Sequence, residues 1–224
     1  METAAHALGC TVFPGGVGQT ELQVRAMMDL APHAYTGTPS FLRILLGRAL
    51  EQGLPLGFIK ALVSGEAFPI ALRDWALAQG VQAYQCYATA DCGLIAYETP
   101  ARQGLVIDEG VIVEIVRPGT AVPLPEGEVG ELVVTRLDAT YPLFRYATGD
   151  LSALLPGRSP CGRSGQRLRG WLGRADQSAK VRGMFIHAGQ VEALRVRFPD
   201  LPGRMRWVVE GEMANDRFTL LVEC

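Results

Sequence analysis

Two segments of this chain carry residue types that could bind a phosphorylated sugar. Asp150 ends the sequence Tyr-Ala-Thr-Gly-Asp, and Arg174 follows Gly173 after a connector rich in glycine and arginine. An ionised carboxylate can accept hydrogen bonds from two hydroxyls, and a guanidinium offers a fixed fork of donors. The pair could therefore hold a sugar diol and a nearby phosphate.

Two further segments place polar groups where predicted strands end. Ser64-Gly-Glu-Ala67 follows one strand, and its glycine would let the backbone approach a flat ring closely. Tyr87-Ala-Thr-Ala-Asp91 follows another strand and offers an aromatic face and a carboxylate. Ligands of parallel sheets usually lie outside the carboxyl ends of the strands. Taken alone, each segment is more typical of an ordinary turn, and each aspartate of a turn cap.

Apolar runs alternate with helical patterns in the first part of the chain, and this alternation predicts the strands and helices around these residues. Over residues 1 to about 100 this alternation indicates a parallel sheet covered by helices. The predicted strands are 11–13, a short run at Tyr35, 58–63 and 81–87. The predicted helices are 4–8, 20–30, 69–78 and one that starts at Thr38-Pro-Ser40 and places Leu42, Leu45, Leu46 and Leu50 on one face.

The pattern changes after Pro100. Short strands at Val106, 111–116 and 128–135 are separated by glycine and proline, which predicts an antiparallel meander or a small barrel. A connector over 156–170 precedes a predicted strand 180–186, a helix 188–198 and two strands at 206–209 and 218–222. We therefore predict a large domain over 1–174, made of an α/β part to residue 100 and a barrel-like part, and a small α+β domain from 175.

Composition excludes several classes of protein. The net charge of −2 argues against a nucleic-acid or anionic-membrane partner, and no apolar stretch is long enough to span a bilayer. The 224 residues are 48% hydrophobic, which suits a globular core. Five cysteines without a C-x-x-C pair favour reduced thiols, a cytoplasmic location and no cysteine-bound metal. The oligomeric state is left open.

In chain order, these segments resemble the signature motifs of the AMP-forming acyl-CoA synthetase superfamily, and most closely its phenylacetate–coenzyme A ligase branch. Tyr146-Ala-Thr-Gly-Asp150 is similar to the family's Tyr-Arg-Thr-Gly-Asp, with Ala147 in place of a basic residue. Tyr87-Ala-Thr-Ala-Asp91 is similar to its Tyr-Gly-x-Thr/Ser-Glu, with Ala88 and Ala90 at two positions and a shorter acid at the last. The resemblance extends from about residue 7 to 223.

The resemblance implies an adenylate-forming enzyme that binds ATP, Mg²⁺, coenzyme A and a small carboxylic acid such as phenylacetate. It implies that Asp91 binds Mg²⁺, that Asp176 is the hinge of the small domain, and that the loop from Arg182 to Phe185 faces the pantetheine arm. The residues it implies for binding ATP or AMP are Ser64, Gly65, Glu66, Ala67, Tyr87, Ala88, Thr89, Asp150, Arg174 and Lys180.

Family members are nearly twice as long as this chain, and the resemblance places two of their elements outside it. A phosphate-binding loop is expected upstream of Met1, and a catalytic lysine beyond Cys224. We therefore expect the chain to be a fragment of a carboxylate–coenzyme A ligase that is inactive by itself. The alternatives are a non-catalytic nucleotide-binding or interaction module of that family, and a dinucleotide-dependent oxidoreductase, against which the missing G-x-G-x-x-G turn argues.

Overall fold

A computed structural model describes residues 2–16, 18–55, 57–177, 179–181, 184–186, 189–198, 200, 204–210 and 217–223. The chain divides into two compact units, residues 1–88 and residues 89–224. No helix within these described ranges is long and apolar enough to cross a membrane. The predicted domain division after residue 174 stays a prediction.

The first unit contains the parallel strands that the alternating pattern predicts. Its elements in chain order are α1 (Glu2–Ala7), α2 (Thr20–Leu30), β1 (Ala34–Gly37), α3 (Pro39–Glu51), β2 (Lys60–Val63), α4 (Ile70–Ala78) and β3 (Gln82–Thr89), whose last residue begins the second unit. β1 pairs with β2 in parallel, and β2 pairs with β3 in parallel. The carboxyl ends of these strands therefore lie at the same edge of the sheet.

The start of α3 follows from its sequence. The Thr38 hydroxyl accepts the backbone N–H of Phe41 at 3.3 Å, and Pro39 occupies the first helical position, where its missing N–H costs nothing. The helix buries the face that carries Leu42, Leu45 and Leu46 against the core of the first unit. Leu50, which the sequence places on the same face, lies in the last turn of the helix and is 43% exposed.

The predicted strand at 11–13 is absent, and this prediction was wrong. Residues 10–16 form no regular element, and Phe13 is 57% exposed. Pro14 and the glycines after it explain the difference, because proline lacks the N–H that a sheet ladder needs and glycine weakens strands. An apolar run of three residues next to such a segment is too short to be held in a sheet.

The second unit is dominated by antiparallel strands. Its elements are β4 (Gly93–Glu98), β5 (Leu105–Ile107), β6 (Val111–Val116), β7 (Gly130–Arg136), β8 (Leu143–Ser152), β9 (Leu154–Leu155), β10 (Arg167–Leu168), a 3-10 helix (Ala175–Gln177), β11 (Ala179–Val181), β12 (Met184–Ile186), α5 (Gly189–Arg197), β13 (Met205–Glu210) and β14 (Arg217–Val222). β6, β7 and β8 form the predicted antiparallel meander. β4, β5, β10 and β9 pair antiparallel in that order.

β8 runs through the glycine and the aspartate that the sequence suggested would lie in a turn. Pairing with β7 shifts register around Gly149 and resumes at Leu151, opposite Glu131. Gly149 has a φ of +72°, which glycine adopts without strain, so the strand bends instead of ending. Asp150 is therefore a strand residue, and the alternative of a turn cap, raised for each aspartate taken alone, does not describe it.

Two short strands, β11 and β12, stand where a single strand was predicted. β11 and β12 pair antiparallel within the predicted strand 180–186, with Lys180 opposite Phe185. The sequence places Gly183 between the two apolar runs, and glycine commonly interrupts strands. The predicted helix and the two later strands agree with α5, β13 and β14 to within one residue.

Candidate nucleotide-binding site

The end of β8 and the segment before the 3-10 helix form a short ladder that brings Asp150 beside Arg174. Leu151 donates its N–H to Gly173 O at 2.8 Å, and Leu172 donates its N–H to Leu151 O at 2.9 Å. Across the resulting bridge, Arg174 Nη1 donates to Asp150 Oδ1 at 3.2 Å. The Asp150 side chain is only 13% exposed, whereas that of Arg174 is 42% exposed. The structure thus joins the two residues that the sequence singled out first.

Trp171 is a third member of this cluster, and the sequence interpretation missed it. Its indole Nε1 donates to Asp150 Oδ1 at 3.0 Å, so this oxygen accepts from both Trp171 and Arg174. The residue is 48% exposed, which is high for so large an apolar side chain. The sequence feature that could have indicated it is a tryptophan two residues before Gly173, because an indole N–H can donate a hydrogen bond but not accept one. We call Asp150, Trp171 and Arg174 the carboxylate cluster.

Gly149 makes room for the guanidinium of this cluster. A Cβ at this position would lie 2.6 Å from Arg174 Nη2 and 3.0 Å from its Cζ. Arg174 Nη1 also donates to Thr148 O at 3.2 Å, so the guanidinium lies along the backbone of β8. The hydrogen bond from Arg174 to Asp150 raises the pKa of the guanidinium further above its ordinary value. Arg174 is therefore a fixed positive charge beside the carboxylate.

The predicted hinge residue is adjacent to the cluster. Asp176 lies in the 3-10 helix, its side chain is 72% exposed, and its Oδ1 is 3.6 Å from Arg174 Nε. An exposed ion pair at this distance adds little stability. Lys180 lies on β11, while Arg182 and Gly183 of the predicted pantetheine loop lie outside the described residues.

The predicted metal ligand belongs to a second group of side chains in the same unit. Asp91 is exposed, and its Oδ2 accepts the hydroxyl of Tyr146 at 2.8 Å. This hydrogen bond raises the pKa of the Tyr146 hydroxyl, which donates to the carboxylate. Arg136 Nη1 donates to Cys92 O at 2.7 Å, and Thr89 Oγ1 accepts the N–H of Cys92 at 3.0 Å. The loop that carries Asp91 is therefore fixed by side chains of β7 and β8.

The remaining predicted residues lie in the first unit. Ser64 Oγ donates to Cys86 O at 3.0 Å, so the loop after β2 is tied to β3. Glu66 accepts both the N–H and the hydroxyl of Ser40, at 3.2 and 2.9 Å, and thereby caps the start of α3. Burial, followed by the charge of Glu66, raises the pKa of Tyr35 to about 12. Gly65, Ala67, Tyr87 and Ala88 complete the predicted set in this unit.

Cys161, outside both groups, has an unusually acidic thiol. Its Sγ lies 3.0 Å from the Ser159 hydroxyl, and this contact, together with a hydrogen bond from the Arg163 backbone N–H, lowers the thiol pKa from 9.0 to about 7. The residue is exposed. Because the thiolate is the nucleophile, we expect alkylation of Cys161 by iodoacetamide to rise through pH about 7, about two units below an ordinary thiol. Peptide mass spectrometry at a series of pH values measures this midpoint.

Two comparisons control this experiment. Cys86 is buried, which raises its pKa, and it should react slowly over the same range. Ser159→Ala removes the largest cause of the low pKa and should move the Cys161 midpoint upward. A wild-type midpoint near 9 would contradict the assignment.

Comparisons with known proteins agree on one family. A model of the AMP-binding enzyme family matches residues 1–138. A phenylacetate-coenzyme A ligase of Thermus thermophilus is 35% identical over 234 residues, which cover 100% of this chain and 52% of that protein. The corresponding ligase of Aromatoleum evansii is 32% identical over 228 residues, which cover 98% of this chain and 51% of that protein. The chain thus spans about half the length of the curated relatives it matches.

A solved structure has the same fold. The crystal structure of 2-hydroxyisobutyryl-CoA ligase, in an open conformation with 2-HIB-AMP and CoA, matches with a TM-score of 0.79 and 27% sequence identity. The match covers 90% of this chain and 50% of that one. The fold class predicted from the sequence, parallel strands with helices followed by antiparallel strands and a small α+β segment, is therefore confirmed.

Proposed function

This chain belongs to the AMP-binding enzyme family, and we propose that it is the nucleotide-holding part of an AMP-forming carboxylate–coenzyme A ligase. In that reaction a carboxylate attacks the α-phosphate of ATP, pyrophosphate leaves, and the acyl adenylate forms. The thiol of coenzyme A then attacks the acyl carbon, and AMP leaves. The names of the phenylacetate-coenzyme A ligases and of the matching 2-hydroxyisobutyryl-CoA ligase support this reaction class.

The observation that carries the proposal is the carboxylate cluster. Asp150 is a largely buried carboxylate whose Oδ1 is fixed by Trp171 and Arg174, and a fixed carboxylate can accept the hydroxyls of a ribose diol. Arg174 supplies a permanent positive charge beside that carboxylate, and a guanidinium is suited to bind a phosphate of the same nucleotide. Such donors, arranged before the substrate binds, stabilise charge that develops at a phosphate.

The second group of side chains, around Asp91, offers the oxygen ligand that Mg²⁺ prefers. Mg²⁺ is usually bound through one or two carboxylates, waters and substrate phosphates, and Asp91 supplies one exposed carboxylate that Tyr146 orients. Across the ranges that the structure describes, no group of three or more His, Cys, Asp or Glu side chains could hold a metal ion. Asp91 would therefore share the ion with ATP, and the bound ion would neutralise phosphate charge.

The acid substrate, coenzyme A and the domain movement are part of the same proposal. A phenylacetate-like acid is supported by the names of the relatives, at 35% and 32% identity. Asp176 is exposed and its ion pair with Arg174 is long, at 3.6 Å, which supports the proposal that it acts as the hinge. Cys10, Cys86, Cys92 and Cys161 are free thiols, which supports a reducing, cytoplasmic location.

Calorimetric titration of the chain with AMP tests nucleotide binding directly. We expect saturable binding, and weaker binding of adenosine, because adenosine lacks the phosphate that Arg174 would contact. The difference between the affinities for AMP and for adenosine should be smaller in an Arg174→Ala variant than in the wild-type chain. Absence of saturable AMP binding by the wild-type chain would contradict the proposal.

Isotope exchange tests the ligase chemistry separately. The longest natural chain that contains these residues should exchange labelled pyrophosphate into ATP when phenylacetate or a related acid is present. The exchange should depend on Mg²⁺ and on the acid, because both belong to the first half-reaction. If the protein binds AMP but shows no acid-dependent exchange, the nucleotide-binding site is supported and the proposed ligase activity is contradicted.

A further inference from the structure

The residues before and after Trp171 are both hydrogen-bonded to β8. Gly170 O accepts the Ser152 hydroxyl at 2.8 Å, and Leu172 donates its N–H to Leu151 O at 2.9 Å. The backbone of Trp171 therefore has little freedom to move away from the strand that carries Asp150. The indole projects to the same place as the carboxylate, and half of its surface is exposed to solvent.

Exposing a large apolar indole to water is unfavourable, so the position of Trp171 beside the carboxylate calls for an explanation. Trp171 is 48% exposed, and its only polar atom donates to Asp150 Oδ1. The terminal torsion of an aspartate is broad, so one donor leaves the carboxylate plane poorly defined. Trp171 and Arg174 together give Oδ1 two donors, one neutral and one charged, and thereby restrict that torsion. The carboxylate is thus oriented before any hydroxyl reaches it.

From this geometry we propose that Trp171 is a positioning residue that orients Asp150 and so determines the preference of the site for nucleotides with an intact ribose diol. The inference rests on the proposed function, because it assumes that Asp150 receives the ribose hydroxyls. Trp171 acts through the carboxylate and need not touch the nucleotide. Its contribution should therefore disappear when the ligand has no hydroxyls for Asp150 to accept.

The test compares two nucleotides on two proteins. Trp171→Phe keeps an aromatic ring and removes the N–H donor. We expect it to weaken AMP binding about 10-fold, because a carboxylate that is no longer oriented would lose about one charge-assisted hydrogen bond to the ribose hydroxyls. Binding of 2′,3′-dideoxy-AMP should stay within about 2-fold of wild type, because that ligand makes no hydroxyl contact with the carboxylate. Calorimetry of both ligands gives the ratio of the two affinities.

Two further variants make the result specific. Trp171→His keeps a ring N–H donor and should restore at least part of the preference for AMP. Trp75→Phe changes a tryptophan of α4 that packs against the core of the first unit, and should leave the affinity ratio unchanged. Far-UV circular dichroism establishes that each variant is folded. Should Trp171→Phe not fold, Trp171→His alone carries the test, and loss of the preference in it would reject the inference.

The possible outcomes distinguish failure of the Trp171 inference from failure of the proposed function. Equal weakening of AMP and dideoxy-AMP by Trp171→Phe would show a merely structural role and overturn the inference. Unchanged binding of both ligands would also overturn it. If the wild-type chain binds no AMP, the proposed function fails and the inference fails with it. Loss of the preference for AMP in Trp171→Phe, with retention in Trp171→His, is the expected result.

Discussion

Replacement of Asp150 with asparagine is expected to weaken AMP binding about 10- to 100-fold, as loss of charge-assisted hydrogen bonds at one carboxylate implies. The asparagine side chain has nearly the same size, so the β8 backbone should not move. It removes the charge that Arg174 contacts at 3.2 Å, and its amide NH₂ cannot accept a hydroxyl. Calorimetric titration with AMP and with adenosine measures the effect, which should be similar for both because both carry the ribose.

Asp138→Asn is the matched control for this substitution. Asp138 is in the same unit, and its Oδ2 is 3.4 Å from Arg136 Nη2, so the substitution also removes an aspartate beside an arginine. It lies outside the carboxylate cluster and should leave AMP affinity unchanged. Equal losses in Asp138→Asn and Asp150→Asn would mean that net charge is responsible, and would remove Asp150 from the ribose site.

Gly149→Ala is expected to abolish most of the nucleotide affinity through Arg174. The new methyl group would lie 2.6 Å from Arg174 Nη2, so the guanidinium must leave its place beside Asp150. Because that guanidinium is the end of a flexible side chain, the displacement should cost affinity more than stability. We expect AMP binding to fall about 10-fold or more, as for other lost contacts between charged groups. Urea unfolding should show a loss of about 1–2 kcal/mol from the left-handed backbone alone.

Gly119→Ala separates the two effects. Gly119 has the same φ of +72°, and a Cβ there would meet nothing within 4 Å. This variant should lose a similar free energy of unfolding, about 1–2 kcal/mol, and bind AMP as tightly as wild type. If Gly149→Ala and Gly119→Ala bind AMP equally well, the position of Arg174 is unimportant for binding.

Several elements were predictable because their causes are local in the sequence. The start of α3 needs only a hydroxyl at Thr38 and a proline after it, and both contacts form within one turn. The short apolar runs of β6 and β7, separated by glycine and proline, predict strands, and Val113 and Val134 are buried in them. Where local causes competed, the predictions failed, as in the proline- and glycine-flanked run at 11–13.

The partners of the predicted site residues were not predictable, because sheet register decides them. Trp171 reaches Asp150 across 21 residues of sequence, and Tyr146 reaches Asp91 across 55. A shift of one residue in the pairing of either segment would turn these side chains to the other face. Glu66 shows the same limit, since its contact with Ser40 depends on β1 and β2 being neighbours.

The fold class, the order of the motifs and the residue types that could hold a nucleotide were predictable from the amino-acid sequence, because they depend on spacing and side-chain chemistry. The folded structure was needed to establish that β8 continues through Gly149, that Trp171 and Arg174 share one oxygen of Asp150, and that Tyr146 donates a hydrogen bond to Asp91. These contacts join segments that are distant in the chain. Their geometry follows from strand pairing and from the space that one glycine leaves, which no local pattern records.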